Sequence, residues 1–180
     1  MKNRCLSARP KRNVAGFTLI ELLVVIAVIG ILASVVLASL NSSRDKAKRA
    51  RAMADLKSLR NAIALLESDT GKWPNGCRIN MPANAEIFLD ATSSGINTRP
   101  SVGVTDAAGG CEWTAGEVAS WNGPYASATI DAWGWSYYFD PDYILADGSV
   151  VSVIISLGPN GAVNYQNESG GSDDIVLRLQ

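Results

Sequence analysis

Glu21 stands inside an apolar stretch, with Phe17-Thr18-Leu19-Ile20 before it and Leu22-Leu23-Val24-Val25 after it. An acid at the centre of a membrane helix costs about 2.5 to 3.5 kcal/mol, so such a residue usually has a partner. Either a cation neutralises it, or it sits at the headgroup boundary and stays solvated. Asp173 and Asp174 pose a related problem near the C-terminus, since adjacent carboxylates repel. A Gly158-Pro159-Asn160-Gly161 turn could bring Asn160 and the Leu157 carbonyl within reach of them. The plain alternative is two solvated acids beside a strand. Cys77 and Cys111 are the cysteines of the polar part, Cys5 lying near the start. On an exported face they would form a disulfide worth roughly 3 to 4 kcal/mol in the chain-entropy account; in a reducing cytoplasm they would be two free thiols. The chain has no histidine. That removes Ser-His and Cys-His nucleophile pairs, imidazole ligands and the usual proton shuttle near neutral pH, and enzymatic readings lose most of their toolkit.

The elements that position these residues follow from charge and periodicity. Lys2, Arg4, Arg9, Lys11 and Arg12 precede Gly16 without an acid among them, and residues 1–16 read as a targeting leader. Leu22 to Leu40 is a run of 19 residues without formal charge. As a helix it spans roughly 28 Å, about the thickness of a bilayer's hydrocarbon core. The small residue precedes the apolar run, which points to cleavage on the cytoplasmic side with the helix retained. Leu56, Leu59, Ile63 and Leu66 then recur at spacings of three and four, so one long helix continues as an amphipathic half to about Asp69. Thr70-Gly71 and Trp73-Pro74 end it. Residues 71–130 are rich in small and polar types and predict a long irregular connection pinned by the cysteines. Trp135 to Phe139 and Val150 to Ser156 predict strands joined through an Asp147-Gly148 turn, with Ile175 to Leu179 as a third. At 180 residues there is room for one compact domain and one membrane segment. Beyond Arg51 the chain carries 6 basic and 15 acidic residues, which disfavours nucleic-acid binding by that part.

The run Gly16-Phe17-Thr18-Leu19-Ile20-Glu21, followed by Leu22 to Ala33, resembles the N-terminus of type IV pilins and type II secretion pseudopilins. The resemblance implies that a prepilin peptidase cuts between Gly16 and Phe17 and methylates the new amine. It also implies that Glu21 pairs with the N-terminal amine of a neighbouring subunit during assembly. Further on, Trp121-Asn122-Gly123-Pro124-Tyr125, Asp131-Ala132-Trp133-Gly134, Ser156-Leu157-Gly158-Pro159-Asn160-Gly161 and Ser172-Asp173-Asp174-Ile175 look like landmarks of the major pseudopilins. Their last loop binds one calcium ion. By that likeness the Leu157 carbonyl, Asn160, Asp173 and Asp174 would be the ligands, oxygen donors being what calcium requires. Asn160 stands where the family usually has Asp, and the Tyr165–Gly171 insert alters the loop; Glu168 could compensate for the missing charge.

The expected architecture is therefore an α+β, pilin-like fold: residues 1–16 a leader, 17–40 a transmembrane or filament-core helix, and 41–180 a head in which the amphipathic half-helix packs on a small antiparallel sheet. Five basic residues on each side of the apolar run tie under the positive-inside rule, so the leader motif and the cysteine pair orient the head outward. The Arg44–Arg51 cluster reads as a solvated face near phospholipid headgroups, or as a partner surface inside a filament. The function implied is structural: a single-pass bacterial inner-membrane subunit, its head periplasmic or extracellular. It would polymerise with copies of itself and related subunits on a membrane assembly platform to help drive protein secretion. A type IV pilin for adhesion, motility or DNA uptake is the nearest alternative. A membrane-tethered binding module using Trp113, Trp121, Trp133 and Trp135 is the alternative from another class.

Overall fold

The structure is a computed structural model, described here for residues 16–78, 85–103, 110–163 and 173–179. Residues 1–15 of the expected leader and the Tyr165–Gly171 stretch with Glu168 lie outside the described residues. The chain divides into two compact units, one ending at Ser43 and one starting at Arg44. Helix α1, Leu19–Thr70, runs through 52 residues.

In the first unit α1 is apolar on every face. Residues Gly16 to Leu37, which include its first turns, are all exposed, Phe17 and Leu19 at 89%. An 18-residue window there has a mean hydropathy of 3.0, and the helix is long and apolar enough to cross a membrane.

In the second unit the periodicity of α1 becomes one-sided. Leu56, Leu59, Ile63 and Leu66 are all buried, while Leu65, off the stripe, is 56% exposed. The buried stripe packs with Ile87, Tyr137, Phe139 and Ile154 in one core. The helix ends as the sequence predicts: the Thr70 hydroxyl donates to the Leu66 carbonyl, and the Gly71 N–H donates to that of Glu67 at 2.7 Å.

The sheet has four antiparallel strands in the order β1 (Ile87–Phe88), β2 (Tyr138–Ile144), β3 (Val150–Ser156), β4 (Ile175–Arg178). β3 is apolar at nearly every position because both of its faces are covered. Ile154 joins the helix core, while Val153 and Ile155 join Tyr138, Tyr143, Leu145 and Leu157 on the opposite face. The Asp147-Gly148 turn closes the β2–β3 hairpin, and β3 and β4 lie where expected. The expected strand at Trp135–Phe139 is displaced: β2 begins at Tyr138 and runs on to Ile144. Asp131 is the reason, because its carboxylate accepts the N–H groups of Trp133 and Trp135 at 2.9 Å each and holds those residues in a turn. β2 then passes through Pro141, whose lack of an N–H is accommodated by a break in register between Asp140 and Tyr143.

The stretch expected to be an irregular connection contains, among its described residues, β1, a 3-10 turn at Thr92–Ser94 and α2 (Ala115–Ser120). α2 starts with a capping box between Thr114 and Glu117. Two tyrosines tie the landmarks to α1. Tyr137 donates to Asp55 at 3.1 Å and Tyr125 to Asp69 at 2.8 Å. Trp113 is buried and donates to the Ser93 carbonyl, and Trp121 donates to that of Gly95.

Leu59→Ala should lower head stability by about 2 to 5 kcal/mol, since it leaves a cavity against the sheet. Leu65→Ala, on the exposed face of the same helix, should change it by less than about 0.5 kcal/mol. Denaturant unfolding of the full chain in detergent, followed by tryptophan fluorescence, measures both; all five tryptophans lie in the second unit.

Candidate functional site

The N-terminal group is built around the first turn of α1. Thr18 precedes the helix and Glu21 is its third residue. The Glu21 carboxylate accepts both the Thr18 N–H and the Thr18 hydroxyl at 2.8 Å, and the Thr18 hydroxyl accepts the Glu21 N–H at 3.3 Å. This is a reciprocal capping box, which satisfies donors that a helix start otherwise leaves open. The Thr-x-x-Glu spacing was visible in the sequence, yet the reading of Glu21 as an acid needing a neighbour passed over its local partner. Gly16 and Phe17 stand just outside the helix and are exposed, so their junction is accessible.

The cysteines are joined: Cys77 and Cys111 form a disulfide with their Cα atoms 4.8 Å apart. It closes a 34-residue separation beside a buried cation. Lys72 donates to the Gly76 carbonyl at 2.6 Å and pairs with Glu117 at 3.4 Å. The disulfide and this ion pair together fix the end of α1 to the segment that leads into α2.

Asn160 and Asp173 meet where β3 leaves the sheet and β4 enters it, while the Leu157 side chain is buried with Tyr143 and Ile155 and Asp174 is half-buried just before β4. Asp173 is held by Asn160 through both carboxylate oxygens, from the Asn160 backbone N–H at 3.0 Å and from Nδ2 at 2.5 Å. The amide orientation is fixed from its other end, because Oδ1 accepts the Ala162 N–H at 2.7 Å. Asn160 therefore turns a nitrogen, not an oxygen, toward Asp173. Calcium takes oxygen ligands, and in this orientation the Asn160 side chain turns none toward Asp173.

A third group was not anticipated. Carboxylate oxygens of Glu86, Asp140 and Asp142 lie within 4.8 Å of one another. Asp140 is buried and accepts the Asp142 N–H at 3.0 Å across the register break; Tyr138 donates to Glu86 at 2.9 Å. Burial pushes the Asp140 carboxyl up to about 7; the Asp142 N–H opposes that rise, and the charges of Asp142 and Glu86 add to it. Asp140 and Asp142 share β2, while Glu86 stands far away in sequence just before β1, and the pairing of β1 with β2 brings it to them.

Residues 11–37 match the prokaryotic N-terminal methylation motif. The chain is 41% identical over 64 residues to the type II secretion system core protein G of Aeromonas hydrophila, covering 36% of this chain and 45% of that protein. It is 41% identical over 59 residues to the protein of the same name in Escherichia coli K12, covering 33% and 41%. It is 38% identical over 63 residues to that of Vibrio cholerae, covering 35% and 43%. The chain thus spans less than half the length of these relatives, in its N-terminal part. No solved structure matches it significantly.

The buried Asp140 makes the head's stability pH-dependent. Its carboxyl titrates higher in the fold than in the unfolded chain, so its favourable contribution is complete below about pH 4 and is lost as pH rises through about 7. Asp140→Asn should flatten the stability profile between those pH values. Thermal unfolding of both proteins across that range checks it.

Proposed function

We propose that this chain is a structural subunit of a type II secretion pseudopilus, a filament that polymerises through its N-terminal helix and helps drive folded proteins outward. The observation that carries the reading is an apolar helix, bare on all sides from Leu19 to Leu37, opening with a methylation motif and shared with relatives named core protein G. Such a surface needs either lipid or like helices around it, and a membrane subunit that enters a filament meets each in turn.

In this reading prepilin peptidase removes residues 1–16 and methylates Phe17. The helix then holds the subunit in the inner membrane as a single pass, with the head on the periplasmic side, where Cys77 and Cys111 oxidise. The assembly platform and other pseudopilins are the partners. Glu21 exchanges its own capping bonds for the Phe17 amine of a neighbour, which sets the axial register. The role is structural rather than catalytic. The sheet and the landmark turns serve to present a rigid head on the second half of α1.

Coexpression with a prepilin peptidase should yield a chain beginning at methylated Phe17, read by intact mass; a product retaining residues 1–16 would overturn the reading. Glu21→Gln separates the two uses of Glu21, because a glutamine at this position still completes a capping box but carries no charge. It should insert into membranes as wild type does and yet be depleted from filaments, scored by shearing and immunoblotting.

A further inference from the structure

We infer that Asn160 holds Asp173 in place of a cation, so that the junction of the turn after β3 with the start of β4 is stable without calcium. The inference concerns the head alone and holds whether or not the chain enters a filament.

The loop is arranged so that Asn160 must meet Asp173. Gly158 sits at a φ of +62°, and a Cβ there would come within 2.5 Å of the Asp173 carbonyl oxygen. The turn therefore lies directly against the start of β4. Gly161, at a φ of +66°, faces the Trp135 ring so closely that any side chain would collide with it. Trp135 is itself held by Asp131, whose other carboxylate oxygen accepts the buried Ser156 hydroxyl at 2.7 Å. With both sides of the turn set by backbone and ring contacts, Asn160 has one direction to face.

The chemistry then follows from its two ends. The Asn160 backbone N–H and Nδ2 both donate to Asp173, and hydrogen bonds to an ionised acceptor are about twice as strong as neutral ones. Two donors on one carboxylate do what a bound cation would do: they hold the negative charge and close the loop. An Asp at position 160 would offer no Nδ2 donor and would set a second carboxylate against Asp173. Charge repulsion would then have to be relieved by a cation. The single difference between the two residues, NH2 for O−, decides whether the loop needs an ion.

The test uses the full chain in detergent, with near-ultraviolet circular dichroism of the head tryptophans as the readout and calcium chloride or a chelator as the variable. Wild type should unfold at the same temperature in both. Asn160→Asp should unfold roughly 5 °C or more below wild type in chelator, and calcium should restore most of that loss. Asn160→Ala, which cannot supply a ligand oxygen from its side chain, should be lowered equally in both conditions. Calorimetric titration should detect a calcium site in Asn160→Asp that wild type lacks. A calcium-dependent rise in the wild-type melting temperature, or an Asn160→Asp chain as stable as wild type in chelator, overturns the inference.

Discussion

The apolar surface of α1 that its own chain leaves uncovered is the constraint on which the rest depends. From Leu19 to Leu37 the helix has no packed side. Burying apolar area is worth about 25 cal/mol per Å2, so a helix that is apolar all round is not stable in water. Everything else about the chain answers to this. The helix needs a capped start to enter an apolar phase without open donors, and Thr18 with Glu21 provides one. It also needs a separate, self-sufficient polar unit, because the first half can contribute nothing to a water-exposed core.

That second unit obtains its core from a change in sequence pattern along one helix. Where apolar residues occupy every position there is no preferred face; where they recur at 56, 59, 63 and 66 there is one, and the sheet covers it. The chain leading into the sheet is held to the helix at two more points, by Tyr137, just before β2, on Asp55 and by Tyr125 on Asp69. Burial and the Asp55 charge push the Tyr137 phenol well above its usual range, so it remains a donor at any physiological pH. Tyr125 and Tyr137 thus fasten the segment that precedes β2 to the helix.

What was legible in the sequence were the features set by local rules. The helix stripe, its Gly71 end, the Asp147-Gly148 hairpin and β3 all depend on periodicity or turn chemistry within a few residues, and all lie where expected. The displaced β2 depends on Asp131, which gathers two backbone N–H groups and a serine from 25 residues away; no pattern within residues 135–139 reveals it. Likewise the Glu86, Asp140 and Asp142 group depends on a two-residue strand, β1, too short to give a periodic signal. Trp113, considered as a binding residue, is core, because its indole N–H finds a carbonyl in a turn that sequence alone does not place. The Glu21 capping box was readable but was obscured by the greater apparent cost of an acid among apolar neighbours.

The magnitudes at Glu21 explain why one residue serves two purposes in the filament reading. A capping interaction contributes about 0.5 to 2 kcal/mol, typically about 1. Carrying the acid into hydrocarbon costs about 2.5 to 3.5 kcal/mol. The cap therefore suffices while Glu21 lies near a wet interface, and falls short once neighbouring helices and lipid surround it. A cation must then close the gap, and a free amine released at Phe17 is the nearest one that cleavage creates. The Thr18 hydroxyl remains to hold the helix start after the carboxylate has turned away, which makes the exchange possible without unwinding the first turn.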